Sequence, residues 1–263
     1  MPRFGMLIDL ERCIGCYSCV VSCKQYYGTR PGVDYNRLGY VEWGEYPDAH
    51  QRYVSRMCNH CDDPPCVAVC PHDATYKTDE GPVLVDYEVC DGCGACARAC
   101  PYQQRYLVTD DVTSFEKTVM PGEEESSQRL DIVEKCTLCY GRITAGEQPV
   151  CSSLCPGQCR IFGDLDDPES TITAYLDTHD ATHLDLTSMY YVLPAGMSRS
   201  LVPAGLMDAV RAHALGNEEQ EAHGVKAQPG IPLAPVAAGA LVAAAAVGGG
   251  VWYRTHKTKG GVE

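Results

Sequence analysis

The chain has 263 residues, enough for one or two domains with a substantial core. Its 21 Lys and Arg stand against 35 Asp and Glu, and the net charge of −14 argues against nucleic acid as a partner. All 17 Cys lie between Cys13 and Cys159, but the residues before Cys13 contain no apolar run of signal-peptide length. We therefore favour metal ligation over a secreted disulfide framework as the role of the thiols.

Short apolar runs, taken in chain order, predict strands that alternate with cysteine-containing loops and short helices. The predicted strands are Phe4–Asp9, Leu38–Tyr46, Gln51–Met57, Val83–Asp86 and Arg160–Phe162. The acidic stretch at 123–127 predicts a solvated loop. Asp167 is predicted to cap a helix that has Pro168 in its first turn. This pattern indicates an α+β fold.

Sixteen of the cysteines form four quartets, and each quartet ends with a three-residue gap. The quartets are Cys13, Cys16, Cys19 and Cys23; Cys58, Cys61, Cys66 and Cys70; Cys90, Cys93, Cys96 and Cys100; and Cys136, Cys139, Cys151 and Cys155. The first and third read C-x2-C-x2-C-x3-C, whereas the middle gap has four residues in the second and eleven in the fourth. Cys159 is left over, and we interpret it as a quiet buried thiol rather than a spare ligand.

This spacing predicts iron–sulfur clusters. A C-x2-C-x2-C run surrounds one [4Fe–4S] cluster, and the fourth cysteine, often followed by Pro, ligates a neighbouring cluster. Pro71, Pro101 and Pro156 follow the fourth cysteines of their quartets. Zinc sites usually pair two C-x2-C knuckles, so a zinc or disulfide framework fits less well. No quartet lacks a thiol, which disfavours an enzyme whose cluster has one iron without a cysteine ligand. We also find no nucleophile triad, phosphate loop or dinucleotide motif.

Several other side chains lie beside the predicted ligands. His60 and His72 flank cysteines of the second quartet, but that quartet already has four thiols. We therefore favour a surface position or a contact with the ligands over direct ligation of the metal. Four cations lie beside predicted ligands, where a positive charge would raise the reduction potential of the cluster. Solvated surface cations are the alternative interpretation. The four are Lys24, Arg98, Lys135 and Arg142.

The C-terminal part of the chain differs in composition from the cysteine-rich part. Residues 217–230 are polar and predict a linker, and residues 231–253 contain no charged side chain over a length that can cross a bilayer. We favour a transmembrane helix over a flexible Ala/Gly tail. Basic residues concentrate in the tail 254–263, which predicts a cytoplasmic C-terminus. They are Arg254, Lys257 and Lys259. The cysteine-rich domain would then lie on the outer face of the cell membrane.

Residues 3–195 resemble the iron–sulfur electron-transfer subunits of molybdopterin oxidoreductases, in the dimethyl sulfoxide reductase superfamily. The resemblance rests on the four quartets, the lengthened fourth quartet, and the segments KCTLCYGRITAGEQPVCSSLCP and RIFGDLDDPES. It implies two nested ferredoxin-like modules in residues 1–163, in which the first quartet pairs with the fourth and the second with the third. Residues 164–216 would form an extension that packs on this domain or on a partner subunit.

The resemblance also implies the ligands of four [4Fe–4S] clusters. The ligand sets are Cys13, Cys16, Cys19 and Cys155; Cys23, Cys136, Cys139 and Cys151; Cys58, Cys61, Cys66 and Cys100; and Cys70, Cys90, Cys93 and Cys96. Nitrate-reductase relatives replace one cysteine of the third quartet and hold a three-iron cluster there. This chain keeps Cys93, so four [4Fe–4S] clusters are expected.

The function that the resemblance implies is non-catalytic electron transfer in an anaerobic respiratory oxidoreductase. Electrons would pass between a molybdopterin-containing catalytic subunit and a membrane component linked to quinol or quinone. The span 231–253 is similar to the single anchor on the iron–sulfur subunit of respiratory formate dehydrogenase, which is one alternative. A soluble polyferredoxin that serves cytoplasmic redox enzymes is another. A chain without its own signal peptide would be exported together with its catalytic partner.

Overall fold

The computed structural model describes residues 1–109, 129–184 and 186–201. Its strands are β1 (Phe4–Asp9), β2 (Asn36–Trp43), β3 (His50–Met57), β4 (Thr75–Lys77), β5 (Val83–Val85), β6 (Tyr106–Leu107), β7 (Val133–Glu134), β8 (Arg160–Asp164), β9 (Ala181–His183) and β10 (Met189–Val192). Its helices are α1 (Ser18–Tyr27), α2 (Pro65–Ala68), α3 (Ala95–Ala99), α4 (Tyr140–Ile143), α5 (Val150–Ser153) and α6 (Thr171–Thr178), with a 3-10 turn at Arg199–Leu201.

The predicted acidic loop at 123–127 and the C-terminal segments 217–230, 231–253 and 254–263 lie outside the described residues. Within the described ranges, every helix is too short or too polar to cross a bilayer. The predicted membrane span is therefore neither supported nor contradicted by the fold.

A central sheet has the strand order β8, β1, β10, β9. β1 pairs antiparallel with β8, where Met6 faces Phe162, and parallel with β10, where Met6 faces Met189. Because β1 has a neighbour on each side and is apolar, Leu7 and Ile8 are completely buried. The first and last predicted strands are confirmed. Residues beyond 164, which were predicted to form an extension, supply β9 and β10 to this sheet.

The two faces of the sheet pack against different layers. On one face, Leu7 and Ile161 pack with Ile172 of α6. On the other face, Met6 and Ile8 belong to the same apolar cluster as the buried cysteines of the first and fourth quartets. Since side chains alternate along a strand, β1 joins a helix layer to the cysteine-rich layer.

Three antiparallel strand pairs complete the fold: β2 with β3, β4 with β5, and β6 with β7. The predicted strands 38–46 and 51–57 correspond to β2 and β3, but β2 ends at Trp43 rather than Tyr46. Gly44 turns the chain with a φ of +83°, and a Cβ atom there would lie 2.3 Å from the carbonyl oxygen of Asp48. The turn therefore starts earlier than Pro47, and it requires glycine.

The predicted helix start at Asp167 is wrong, because α6 begins at Thr171 with Ser170 as its N-cap. The Asp167 carboxylate accepts a hydrogen bond from the N–H of Glu169 at 2.9 Å, and the Asp167 carbonyl accepts one from the N–H of Ser170 at 3.1 Å. Asp167 thus closes a local turn in front of the helix. Asp side chains form such turns as readily as they cap helices.

Candidate metal centres

The four C-x2-C loops share a positive φ angle at one position. The second residue after the first cysteine is Gly15, His60, Gly92 or Leu138, and the φ angles are 68°, 45°, 69° and 55°. Glycine adopts a positive φ without strain, whereas His and Leu rarely do. The same bend is nevertheless present at His60 and Leu138. The N–H of Leu138 donates to Cys136 Sγ at 3.4 Å. In that loop the bend directs a backbone donor at the first thiol.

A short helix carries the third cysteine of each quartet. This cysteine is the second residue of the helix in every case, and all four side chains are buried. The four are Cys19 in α1, Cys66 in α2, Cys96 in α3 and Cys151 in α5. The sequence repeat is therefore also a structural repeat of loop and helix.

One cavity is lined by thiols from the first and fourth quartets. Including its open mouth, its volume is about 350 Å³, and Arg160 and Cys159 are part of its wall. The quartet thiols in its lining, called set A from here on, are Cys13, Cys16, Cys19 and Cys155. The fold thus brings together the four cysteines that the resemblance grouped, although Cys155 is far from the others in sequence.

A second cavity is lined by thiols from the second and third quartets. Its volume, again including the open mouth, is about 310 Å³, and Arg105 and Val83 are part of its wall. Its thiols, called set C, are Cys58, Cys61, Cys66 and Cys100. No group of three or more His, Cys, Asp or Glu side chains in the described ranges is arranged to hold a single metal ion. The thiols of sets A and C instead surround larger spaces, and four thiolates around such a space are a donor set that fits a cluster.

A third group, called set B, lies in the interior and has no exposed member. Its thiols are Cys23, Cys136, Cys139 and Cys151. Burial raises the pKa of Cys23, and the negative charges of the other three thiols raise it further. Cys23 is therefore electrostatically coupled to the fourth quartet, as the nested pairing expects.

The fourth group, called set D, is less completely assembled. Its thiols are Cys70, Cys90, Cys93 and Cys96. Cys70 accepts hydrogen bonds from the backbone N–H groups of residues 72, 74 and 75, and within the described part of the chain no bond joins it directly to the other three thiols. A side-chain bond of 2.9 Å between His72 Nε2 and Asp91 Oδ2 connects the two quartets instead. His72 is thus a surface link, whereas His60 is buried and accepts a hydrogen bond from the N–H of Val83.

The protonation of the thiols depends on their burial and on their neighbours. Burial raises the pKa of Cys61 to about 12, with a further contribution from the charge of Cys58. A hydrogen bond with Cys159 lowers the pKa of Cys13 to about 6. Since metals bind thiolates, ligation by Cys61 must release a proton, whereas Cys13 ionises more readily than an ordinary cysteine.

The four sets lie next to one another in the order A, B, C, D. The charge of Cys151 in set B acts on Cys19 in set A, and the charge of Cys58 in set C acts on Cys136 in set B. Cys66 of set C packs with Cys96 of set D in one apolar cluster. The sets therefore form a continuous series of thiols.

Among the four cations that the sequence singled out, Lys135 alone is fully buried in the described structure. Lys24 bonds to the carbonyls of residues 30 and 33, and Arg142 pairs with the exposed Glu147 at 2.9 Å. The sequence gives no indication of Arg105 and Arg160, two further buried cations that hydrogen-bond quartet thiols, those of Cys66 and Cys151. Their positions after Cys100 and Cys159 carry no signal until packing shows that both side chains are buried beside thiols.

Two family models match the cysteine-rich part of the chain, and both describe a 4Fe-4S dicluster domain. One covers residues 12–74 and the other residues 49–165. The chain is 34% identical over 211 residues to the arsenate respiratory reductase iron–sulfur subunit of Shewanella sp., covering 69% of this chain and 90% of that protein. It is 35% identical over 195 residues to a subunit of the sulfite dehydrogenase of Allochromatium vinosum, with 66% and 73% covered. It is 34% identical over 173 residues to a component of the anaerobic dimethyl sulfoxide reductase of Escherichia coli, with 63% and 75% covered.

Proposed function

Because this chain belongs to the iron–sulfur subunits of the molybdopterin oxidoreductases, the superfamily of dimethyl sulfoxide reductase, we propose that it connects a molybdopterin catalytic subunit to a quinol- or quinone-linked membrane component. The chain is an electron-transfer subunit and not a catalytic one. Its two dicluster domains hold four [4Fe–4S] clusters. Each cluster supplies a site that takes up and releases one electron, while the protein sets its position and potential.

The ligands in this proposal are the four thiol sets. Sets A and C are supported by the two cavities, set B by the coupling of Cys23 to the fourth quartet, and set D by the His72–Asp91 link. The proposal predicts about sixteen iron and about sixteen sulfide per chain after anaerobic purification. Zinc with negligible sulfide would contradict it.

The observation that carries the relay function is the exposure of cysteines at both ends of the series and not in its middle. Cys16 in set A and Cys93 in set D are exposed, whereas every thiol of set B is buried and no thiol of set C is exposed. Exposed apolar side chains accompany each end: Ile14 and Leu154 beside set A, and Val89 beside set D. Such side chains on a soluble surface favour contact with a partner, so electrons can enter at one end and leave at the other.

The relay is tested by interrupting each end in the complex with the catalytic partner. We expect Cys16→Ser and Cys93→Ser each to abolish turnover with quinol or quinone, while turnover with a small soluble redox dye at the catalytic subunit persists. Cys159→Ser is the matched control, because Cys159 lines the set A cavity but lies outside the ligand sets. Quinol-linked turnover that survives the loss of either end would contradict the relay.

We also propose that residues 231–253 anchor the chain in the cell membrane with the cysteine-rich domain outside. The supporting observations are the uncharged span and the basic residues that follow it. Deleting residues 231–263 should release the chain from the membrane with its iron content unchanged, because every cysteine precedes the deletion. In spheroplasts, added protease should cleave at 123–127. Cleavage only in inverted vesicles would overturn the outward orientation and leave the electron-transfer role intact.

The anchor also favours a second candidate, the iron–sulfur subunit of a respiratory formate dehydrogenase. Purification of the intact complex and assay of its catalytic subunit with formate and with reducible substrates would separate the two. A soluble polyferredoxin would instead be recovered from the soluble fraction without a stable catalytic partner. The same purification therefore tests all three functions.

A further inference from the structure

Three cations are buried among the thiol sets without a carboxylate to balance them. Arg160, Lys135 and Arg105 are 4%, 1% and 1% exposed. Among the described residues, none of the three forms an ion pair with Asp or Glu. A buried charge without a counter-charge is strongly unfavourable, so each position needs a negative group nearby.

Arg160 lies between sets A and B. Its guanidinium lines the set A cavity and donates from Nη2 to Met57 Sδ at 2.9 Å. It also hydrogen-bonds the thiol of Cys151, which belongs to set B. The Nε atom of Arg160 is buried and has no acceptor within the described part of the chain.

Lys135 lies between sets B and C. Its ammonium donates to the carbonyl of Cys136 in set B and to the carbonyl of Val83, which lines the set C cavity. Its charge acts on both Cys136 and Cys66. A single ammonium group therefore faces both sets.

Arg105 lies between sets C and D. It lines the set C cavity and donates from Nη2 to Cys66 Sγ at 3.0 Å and from Nη1 to Thr75 Oγ1 at 3.1 Å. Its charge also interacts with Cys96 of set D, which packs against Cys66.

We propose that Arg160, Lys135 and Arg105 are junction cations, one at each of the A/B, B/C and C/D boundaries, that raise the reduction potentials of the two clusters beside them. The proposal rests on the thiol sets assigned under the proposed function. A cluster with four thiolates carries a formal charge of about −2 when oxidised, and one more negative charge when reduced. A cation buried between two such groups weakens their mutual repulsion and favours the reduced form of both. The junction cations do not carry electrons themselves, since they act through their electrostatic effect on the neighbouring clusters.

The test compares Arg160→Gln, Lys135→Gln and Arg105→Gln in the complex with the catalytic partner, by redox titration followed by electron paramagnetic resonance. Each variant should lower the potentials of its two neighbouring clusters and leave the other two unchanged. We expect about a tenfold change in the ratio of reduced to oxidised cluster at a fixed potential, which is about 59 mV for one electron. Arg3→Gln removes the same charge from an exposed position and should shift none of the four.

The signals are assigned to sets by their loss in Cys→Ser variants of the set. Equal shifts in all four clusters, or no shift at full iron content, would overturn the junction cations. If a Gln variant loses iron, the charge-conserving variants Arg160→Lys, Lys135→Arg and Arg105→Lys decide. Full iron content and nearly unchanged potentials support a role of the positive charge, and the same loss of iron overturns it. Iron and sulfide content of the unaltered chain tests the clusters themselves, so failure of the proposed function is recognised separately.

Discussion

The sulfur atoms of Cys155 and Cys159 lie 3.4 Å apart. Cys159 also hydrogen-bonds Cys13, so the seventeenth thiol contacts two members of set A. The cysteine that falls outside the quartets is therefore buried in the same cavity as set A, where it supplies a hydrogen-bond donor beside two proposed ligands.

Cys159→Ala should keep the full iron content of the purified chain, because set A already has four thiols. In cluster-free chain, the variant should lose the hydrogen bond that lowers the pKa of Cys13 to about 6, so that alkylation of Cys13 near pH 7 slows. Mass spectrometry after brief iodoacetamide treatment measures this. Cys159→Ser keeps a donor and should label like the unaltered chain. Loss of about four iron in Cys159→Ala would instead identify Cys159 as a ligand.

Cys23→Ser should damage the cluster held mainly by the distant fourth quartet. Because Cys23 is coupled to Cys136, Cys139 and Cys151, its variant should lose the same paramagnetic signal as Cys139→Ser. Cys19→Ser is the matched control, since Cys19 lies on the same helix but belongs to set A. Identical spectra for Cys23→Ser and Cys19→Ser would contradict the crossed arrangement.

Gly92→Ala should be more damaging than Gly146→Ala, although both glycines have positive φ. A Cβ atom at Gly92 would lie 2.0 Å from the carbonyl oxygen of Asp131, whereas nothing lies within 4 Å of one at Gly146. Both variants incur about 1–2 kcal/mol for the left-handed conformation, and Gly92→Ala must in addition displace backbone. We expect reduced iron content in Gly92→Ala alone. Equal iron content in the two variants would show that the loop has room to adjust.

Glu134 should make the stability of the chain decrease with rising pH. Burial raises its pKa above the ordinary value of 4.5, against opposing effects of Arg129 and of the Tyr35 hydroxyl, which donates to Oε2 at 2.7 Å. The folded chain then keeps the proton to a higher pH than the unfolded chain. The stabilisation is complete below 4.5 and is lost as the pH rises through the raised pKa.

Urea midpoints measured at several pH values test this linkage. Glu134→Gln should flatten the decline of the urea midpoint with rising pH, because it removes a group that titrates differently in the folded and unfolded chain. Tyr35→Phe removes a donor that lowers the pKa of Glu134, so the decline should extend to higher pH. Profiles of the unaltered chain and Glu134→Gln that coincide would exclude Glu134 as the cause.

The sequence predicts the local part of this architecture and misses what depends on distant contacts. The quartets, β1 and the grouping of Cys13 with Cys19 depend on short spacings that can be read directly. The roles of Arg105 and Arg160 require knowledge of which thiols pack beside them, and Arg160 reaches Met57 from a position 103 residues away in sequence. The helix start at Ser170 is not predictable from the sequence, because the Asp167 side chain can cap a helix or close a turn and sequence alone does not distinguish these uses.

Pairing of β10 with β1 means that the N-terminal strand cannot obtain its second neighbour until the ribosome has passed Val192. Sets C and D need residues between Cys58 and Cys100, whereas sets A and B join Cys13–Cys23 to Cys136–Cys155. The ligands of sets C and D are therefore all synthesised before sets A and B receive their first cysteine from the fourth quartet. A chain truncated before Met189 keeps all sixteen proposed ligands but leaves β1, which packs beside Cys19 and Cys23, without its β10 neighbour, so we expect sets C and D to retain their clusters better than sets A and B.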